Sequence, residues 1–114
     1  MKVIIAGSRT LNDYNFVKTQ IEKLNLNITE IVCGEAKGAD SLGKQWAEEN
    51  NIPVKSFYPE WERLGRAAGI IRNHLMGDYA DYLIAFWDGK SRGTKDMIDY
   101  MQQIGKHGSV IIYE

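Results

Sequence analysis

The 114-residue chain has one cysteine, two prolines, two histidines and almost no net charge. Each shortage removes a class of protein. A single thiol, Cys33, excludes an intramolecular disulfide, and its place inside an apolar run reads as a buried, inert group. His74 and His107 lie far apart without a second ligand at metal spacing, so no metal site is expected. They read as surface groups or partners of helix C-termini. A formal net charge of −1 argues against a nucleic-acid-coating protein, which needs a large positive excess. The apolar opening Val3 to Ala6 is too short for a signal peptide or a membrane span and stops at Gly7, which points to a cytoplasmic protein with no membrane partner.

With 44% hydrophobic and 25% charged residues, residues 1–114 suit one domain with its own core. Val3 to Ala6, Ile28 to Cys33 and Tyr82 to Trp87 are near-continuous apolar runs, the pattern of parallel strands covered on both faces. Val54 to Tyr58 and Ser109 to Tyr113 are more mixed and suit sheet edges. Between them Tyr14, Val17, Ile21 and Leu24 recur at helical spacing after Asn12-Asp13, as do Ala39, Leu42, Trp46 and Ala47 after Gly38. Ala68, Ile71, Leu75 and Tyr79 predict a third helix. Met97, Met101 and Ile104, ending at Gly105 to Gly108, predict a fourth. Strict β-α alternation with right-handed crossovers gives an α/β fold: a three-layer, doubly wound, five-stranded parallel sheet of order 3-2-1-4-5. Pro59 ends the third strand, and the irregular stretch Glu60 to Leu64, with Trp61, is expected to form a flap over the crevice.

Arg9, Arg63, Arg66, Arg72 and Arg92 all follow strand-like runs, on the side where such folds bind ligands, and arginine suits phosphate and carboxylate. Three glycine turns accompany them. Gly7-Ser8-Arg9 follows the central strand. Gly34, Glu35, Gly38 and Asp40 follow the second, with Asp40 read either as a helix cap or as a ribose acceptor. Gly89, Ser91, Arg92, Gly93 and Thr94 follow the fourth, where Gly93-Thr94 would open a helix whose free N–H groups attract an anion. Arg72-Asn73 sits after the small residues Ala67-Ala68-Gly69, which would let its helix pack near a ligand. None of these turns is the three-glycine dinucleotide fingerprint, so nicotinamide chemistry is unsupported and no cofactor is expected. Trp46 reads as core, whereas Trp61 and Trp87 stand beside loops where a base could stack.

In combination, Gly7-Ser8-Arg9, Gly34 to Asp40 with Trp46-Ala47, Arg72-Asn73 with Met76, and Phe86 to Thr94 resemble the YspA-type branch of the SLOG superfamily. These Rossmann-like domains are related to the lonely-guy phosphoribohydrolases and to DprA. The resemblance implies binding of a nucleotide or nucleotide derivative. It carries the lonely-guy catalytic arginine to Arg72, but Met97 stands where those enzymes have a catalytic glutamate. Glu35 stands where the branch often has glycine.

The expected function is binding of a phosphate-bearing nucleotide derivative, of ADP-ribose type or another nucleotide signal, by a bacterial or phage protein that senses or sequesters it. The alternative is N-glycosidic hydrolysis of a nucleoside phosphate, with Glu35 or Asp88 as the acid-base group and Arg72 stabilising charge. Apolar residues beyond one stripe on the last two helices (Ile70 and Met76, Ile98 and Tyr100) predict a homodimer or higher homo-oligomer.

Overall fold

Side chains of the two central strands alternate between two covered faces and so set the layers. In the computed structural model, which describes residues 1–113, β1 (Lys2–Gly7) and β4 (Tyr82–Trp87) are parallel neighbours, each closed to solvent over its four inner residues. Successive side chains of a strand point to opposite faces. Val3, Ile5, Ile84 and Phe86 therefore pack with α1 (Tyr14–Lys23) and α2 (Ala39–Glu49). Ile4, Ala6, Leu83 and Ala85 pack with α4 (Ala68–Tyr79) and α5 (Arg92–Gln103). With β2 (Glu30–Cys33), β3 (Val54–Ser56) and β5 (His107–Ile112), the sheet is all parallel in the order β3-β2-β1-β4-β5, as expected from the sequence. The chain winds one way from β1 and the other way from β4. The crevice between these two strands is the switch point of the fold.

Asp13 caps α1, its Oδ1 accepting from Phe16 N at 3.1 Å, a contact worth about 1 kcal/mol. The far end of α4 is closed from a distance in sequence. The Lys106 ammonium donates to the carbonyls of Gly77, Asp78 and Ala80 at 2.7, 2.9 and 2.7 Å, satisfying acceptors that no helix can pair internally.

Four expectations are corrected. β2 begins at Glu30 rather than Ile28, because the Ile28 N–H turns back to Leu26 O. β3 ends at Ser56 rather than Tyr58, one residue before Phe57 gives its N–H to Cys33 O. His107 and Gly108 belong to β5 rather than to a helix end. Glu60 to Leu64 is not irregular: Trp61–Leu64 forms the short helix α3, followed by a 3-10 turn at Gly65–Ala67.

The inward face of α4 also differs from the stripe Ala68-Ile71-Leu75-Tyr79. Ala68, Asn73, Met76 and Gly77 are buried, while Ile70, Ile71 and Leu75 are exposed. An asparagine on the inner face rotates the helix away from its most apolar side, and its amide is held inward by bonds to Gly93 O and Asp96 Oδ2.

Candidate functional site

A cleft of about 410 Å³ opens at the carboxyl ends of β1 and β4. One wall is Gly7 to Thr10, and the loop before α2 contributes Ala36 and Asp40. The opposite wall is Arg72 of α4 with Asp88, Ser91, Gly93 and Thr94 around the start of α5.

Close backbone packing holds the first wall. Gly38 has φ +78°, and a Cβ there would collide with the Ser8 carbonyl, so the β2–α2 loop can lie directly on the β1–α1 loop. Asp40 ties that loop down from inside, Oδ2 accepting from Gly34 N at 3.1 Å and Ala36 N at 3.4 Å. Burial pushes the Asp40 carboxyl up to about 6, against the pull of the Ala36 N–H, the Arg72 charge and the Gly34 N–H.

Arg72 crosses from α4 to this loop. Its Nη1 donates to Gly34 O at 2.6 Å, and a Cβ on Gly34 would stand 2.7 Å from that nitrogen, so glycine makes the room for the guanidinium. Its Nε donates to Asn73 Oδ1 at 3.1 Å, and Asn73 Nδ2 donates onward to Gly93 O at 3.1 Å and Asp96 Oδ2 at 3.0 Å. Asn73 is thus the strut that fixes both the arginine and the start of α5. Burial lowers the Arg72 pKa; Asp40 opposes this and the nearby positive charge of Arg9 adds to it. Two guanidiniums facing one cleft repel each other until an anion lies between them.

α5 starts at Arg92, one residue earlier than Gly93-Thr94 suggests. Its N-cap Ser91 makes no side-chain bond to the backbone; the Ser91 and Thr94 hydroxyls lie 3.2 Å apart instead. The first intrahelical bond runs from Lys95 N to Ser91 O, so the N–H groups ahead of it have no partner within the helix and carry the positive end of its dipole. Nothing stands within 4 Å of where a Gly93 Cβ would be. The approach to these donors is open.

Asp88 shapes the turn before α5. Its Oδ1 accepts from Lys90 N and Ser91 N, both at 2.8 Å, while its own N–H reaches Ser8 Oγ at 3.3 Å. The Ser91 and Lys90 N–H groups hold its carboxyl below the usual range, which makes it a charged anchor and a poor proton donor.

The sequence-based set does not all meet here. Glu35 turns into a second cavity, of about 210 Å³, with Cys33, Lys44 and Gln45. Its carboxylate accepts from Ser56 Oγ, Cys33 Sγ and Lys44 Nζ, and its pKa is lowered, chiefly by the Ser56 hydroxyl. Burial pushes the Cys33 thiol up to about 11. Glu35 has φ +59°, the left-handed backbone that glycine adopts freely, and these three bonds offset the strain of a larger side chain there. Arg92 and Gly89 line a separate cavity with Trp87. Arg63 pairs with Glu60 on the surface, and Arg66 is exposed. Only Arg9 and Arg72 of the five arginines line the cleft. Trp61 lines yet another hollow, with Pro59 and Arg63, and α3 shares no wall with the cleft. His74 stacks on Tyr100 at 3.9 Å between centroids and faces Asp96 at 3.5 Å. Thr10 and the buttress Asp96 went unread in the sequence; Thr10 adjoins Arg9, but nothing local marks Asp96.

Among the described residues no helix is long and apolar enough to cross a membrane. No curated protein matches the chain. The X-ray structure of DNA processing protein A (DprA) from Streptococcus pneumoniae is similar in fold, with a TM-score of 0.80 at 19% identity over 99% of this chain and 50% of that one. The present chain spans half the length of that protein. The family profile described as YspA, cpYpsA-related SLOG family matches residues 1–64, the half that holds Gly7 to Thr10 and the loop pinned by Asp40. The chain belongs to the YspA, cpYpsA-related SLOG family.

Proposed function

We propose that the chain binds a phosphate-bearing nucleotide derivative in the cleft between β1 and β4, as a sensor or sequestering protein. The observation that carries this reading is the convergence of Arg9 and Arg72 on the uncapped start of α5. Phosphate would take the free N–H groups and the Ser91 and Thr94 hydroxyls, while the two guanidiniums neutralise it. Arg72 is already oriented by Gly34 and Asn73, so little conformational freedom is lost on binding. DNA, which the neighbouring fold processes by name, is the competing ligand; a formal charge of −1 and a cleft with two arginines favour a small molecule.

Calorimetry with AMP and ADP-ribose tests the reading. A charge-assisted hydrogen bond contributes roughly 1.5–3 kcal/mol, so Arg72→Ala is expected to weaken binding by about one to two decades. Unchanged affinity in a folded variant would remove the anion site. Mass spectrometry of small molecules released on denaturation identifies the ligand carried from the cell.

One observation favours turnover. Asp40 lines the cleft beside Arg72 with its carboxyl at about 6, in the range of a general acid, whereas Glu35 faces another cavity and Asp88 is held as a carboxylate by two backbone donors on Oδ1. Hydrolysis would add water across an N-glycosidic bond and release the protonated base. Free base formed from AMP or ADP-ribose by the wild type and absent with Asp40→Asn would replace sequestration with catalysis. Intact nucleotide after prolonged incubation excludes it.

A further inference from the structure

The cleft offers charge and backbone donors but no ring, since none of its lining residues is aromatic. A nucleotide held there by its phosphate must lay its base elsewhere. Two cavities share walls with the cleft. The one holding Glu35 meets it at Ala36 and Asp40 and is also without an aromatic residue. The other, of about 410 Å³, meets it at Thr10 and is walled by Leu11, Asn12, Asp13, Phe16 and Tyr113. The cavities lined by Trp61 and Trp87 share no residue with the cleft.

We propose that the Phe16–Tyr113 cavity seats the nucleobase of the bound molecule, an inference that rests on the anion reading of the cleft. The ligand class is then a nucleoside phosphate recognised at both ends, rather than a sugar phosphate or a free polyphosphate. Geometry prepares the seat. The Phe16 ring is braced edge-on by Phe86, with centroids 6.0 Å apart and planes at 69°. The Tyr113 ring lies 6.5 Å from Phe16 at 56°, and its backbone continues β5 through a 3.1 Å bond from Tyr113 N to Trp87 O. The rings are tilted to each other, so a base stacks on one face rather than slotting between two.

The link to the phosphate site is short. Leu11 N donates to Ser8 O at 3.3 Å, a tight turn that leaves Arg9 on the cleft and places Thr10 on the boundary of both hollows. At the rim Asn12 is exposed and presents both donor and acceptor, and Asp13, whose Oδ1 is engaged by Phe16 N, keeps Oδ2 for an N–H of the base.

Calorimetry on the full chain with AMP and with ribose 5-phosphate, which carries the same phosphate and sugar without a base, separates the two sites. Base stacking predicts AMP binding roughly tenfold to a hundredfold tighter than ribose 5-phosphate. Tyr113→Ala, or Phe16→Leu with the packing against Phe86 kept apolar, is expected to erase most of that gap and leave ribose 5-phosphate unchanged. In the wild type, AMP but not ribose 5-phosphate is expected to shift the Phe16 and Tyr113 ring resonances. Equal affinity for the two ligands overturns the proposal, as does a gap that survives both substitutions. Should Arg72→Ala weaken both ligands while Tyr113→Ala affects neither, the base seat fails and the anion cleft stands. Should Arg72→Ala affect neither ligand, the anion cleft fails and takes the base seat with it.

Discussion

Asp40 carries the largest electrostatic cost at the residue scale. Its folded carboxyl sits at about 6 against an ordinary 3.8, so between these values the folded chain holds a proton that the unfolded chain has released. Stability therefore falls as pH rises through that window and stays lower above it. Two units correspond to about 3 kcal/mol. Asp40→Asn keeps an oxygen for the Gly34 and Ala36 N–H groups without a buried charge. It is expected to stabilise the chain by about that amount at pH 8 and hardly at all at pH 4. Urea unfolding at both values checks this; a variant no more stable than wild type at pH 8 would show that the Arg72 attraction outweighs burial. Glu35 and Asp88 lie at the opposite extreme, each held as a carboxylate by its hydrogen-bond donors.

Among the elements, α4 is tied to other parts of the chain both at its middle and at its last turn. Asn73 joins it to α5, Arg72 joins it to the β2–α2 loop, and Lys106 closes its last carbonyls. Removing the ammonium with Lys106→Met leaves those acceptors to water or to nothing, at an expected cost of about 1–3 kcal/mol. The loss is local, so hydrogen exchange should accelerate first at the amides of the final turn of α4 and spare β1. Uniform acceleration across the sheet would mean that Lys106 acts on global stability instead. Gly77 belongs to the same joint: a Cβ there would stand 2.7 Å from the Tyr100 ring, which is how closely α4 and α5 approach.

At the scale of the whole molecule, the outer face of α4 presents Ile70, Ile71 and Leu75, about half exposed, beside Trp61, which packs over Gly69. β5 adds exposed Val110 and Ile112 at an open sheet edge. An apolar surface of this kind fits association with a second copy, and we propose a homo-oligomer joined through α4. Light scattering should return a multiple of 13.0 kDa, and Leu75→Glu with Ile70→Glu should return the monomer mass with the fold intact. A wild-type monomer at micromolar concentration would retire the proposal.

The strand order was legible because a parallel sheet buried on both faces needs near-continuous apolar runs, and Val3 to Ala6 and Tyr82 to Trp87 are such runs. Alternation with helical periodicity and right-handed crossovers then leaves few topologies, which also put Arg9, Ser91, Gly93 and Thr94 at one end of the sheet. Several decisions depended on contacts between residues distant in sequence. The inward turn of Asn73 reflects bonds to Gly93 and Asp96, which no periodicity within α4 encodes. The departure of Glu35 from the cleft follows from its left-handed backbone and from Ser56 and Lys44, brought to it by β3 and α2. The choice of Arg72 over Arg63 and Arg66 rests on the Gly34 carbonyl that receives it. Periodicity determined which residues belong to the sheet and its crevice; long-range hydrogen bonds decided which of those side chains face the cleft, because a side chain's direction is fixed by partners that only folding brings within reach.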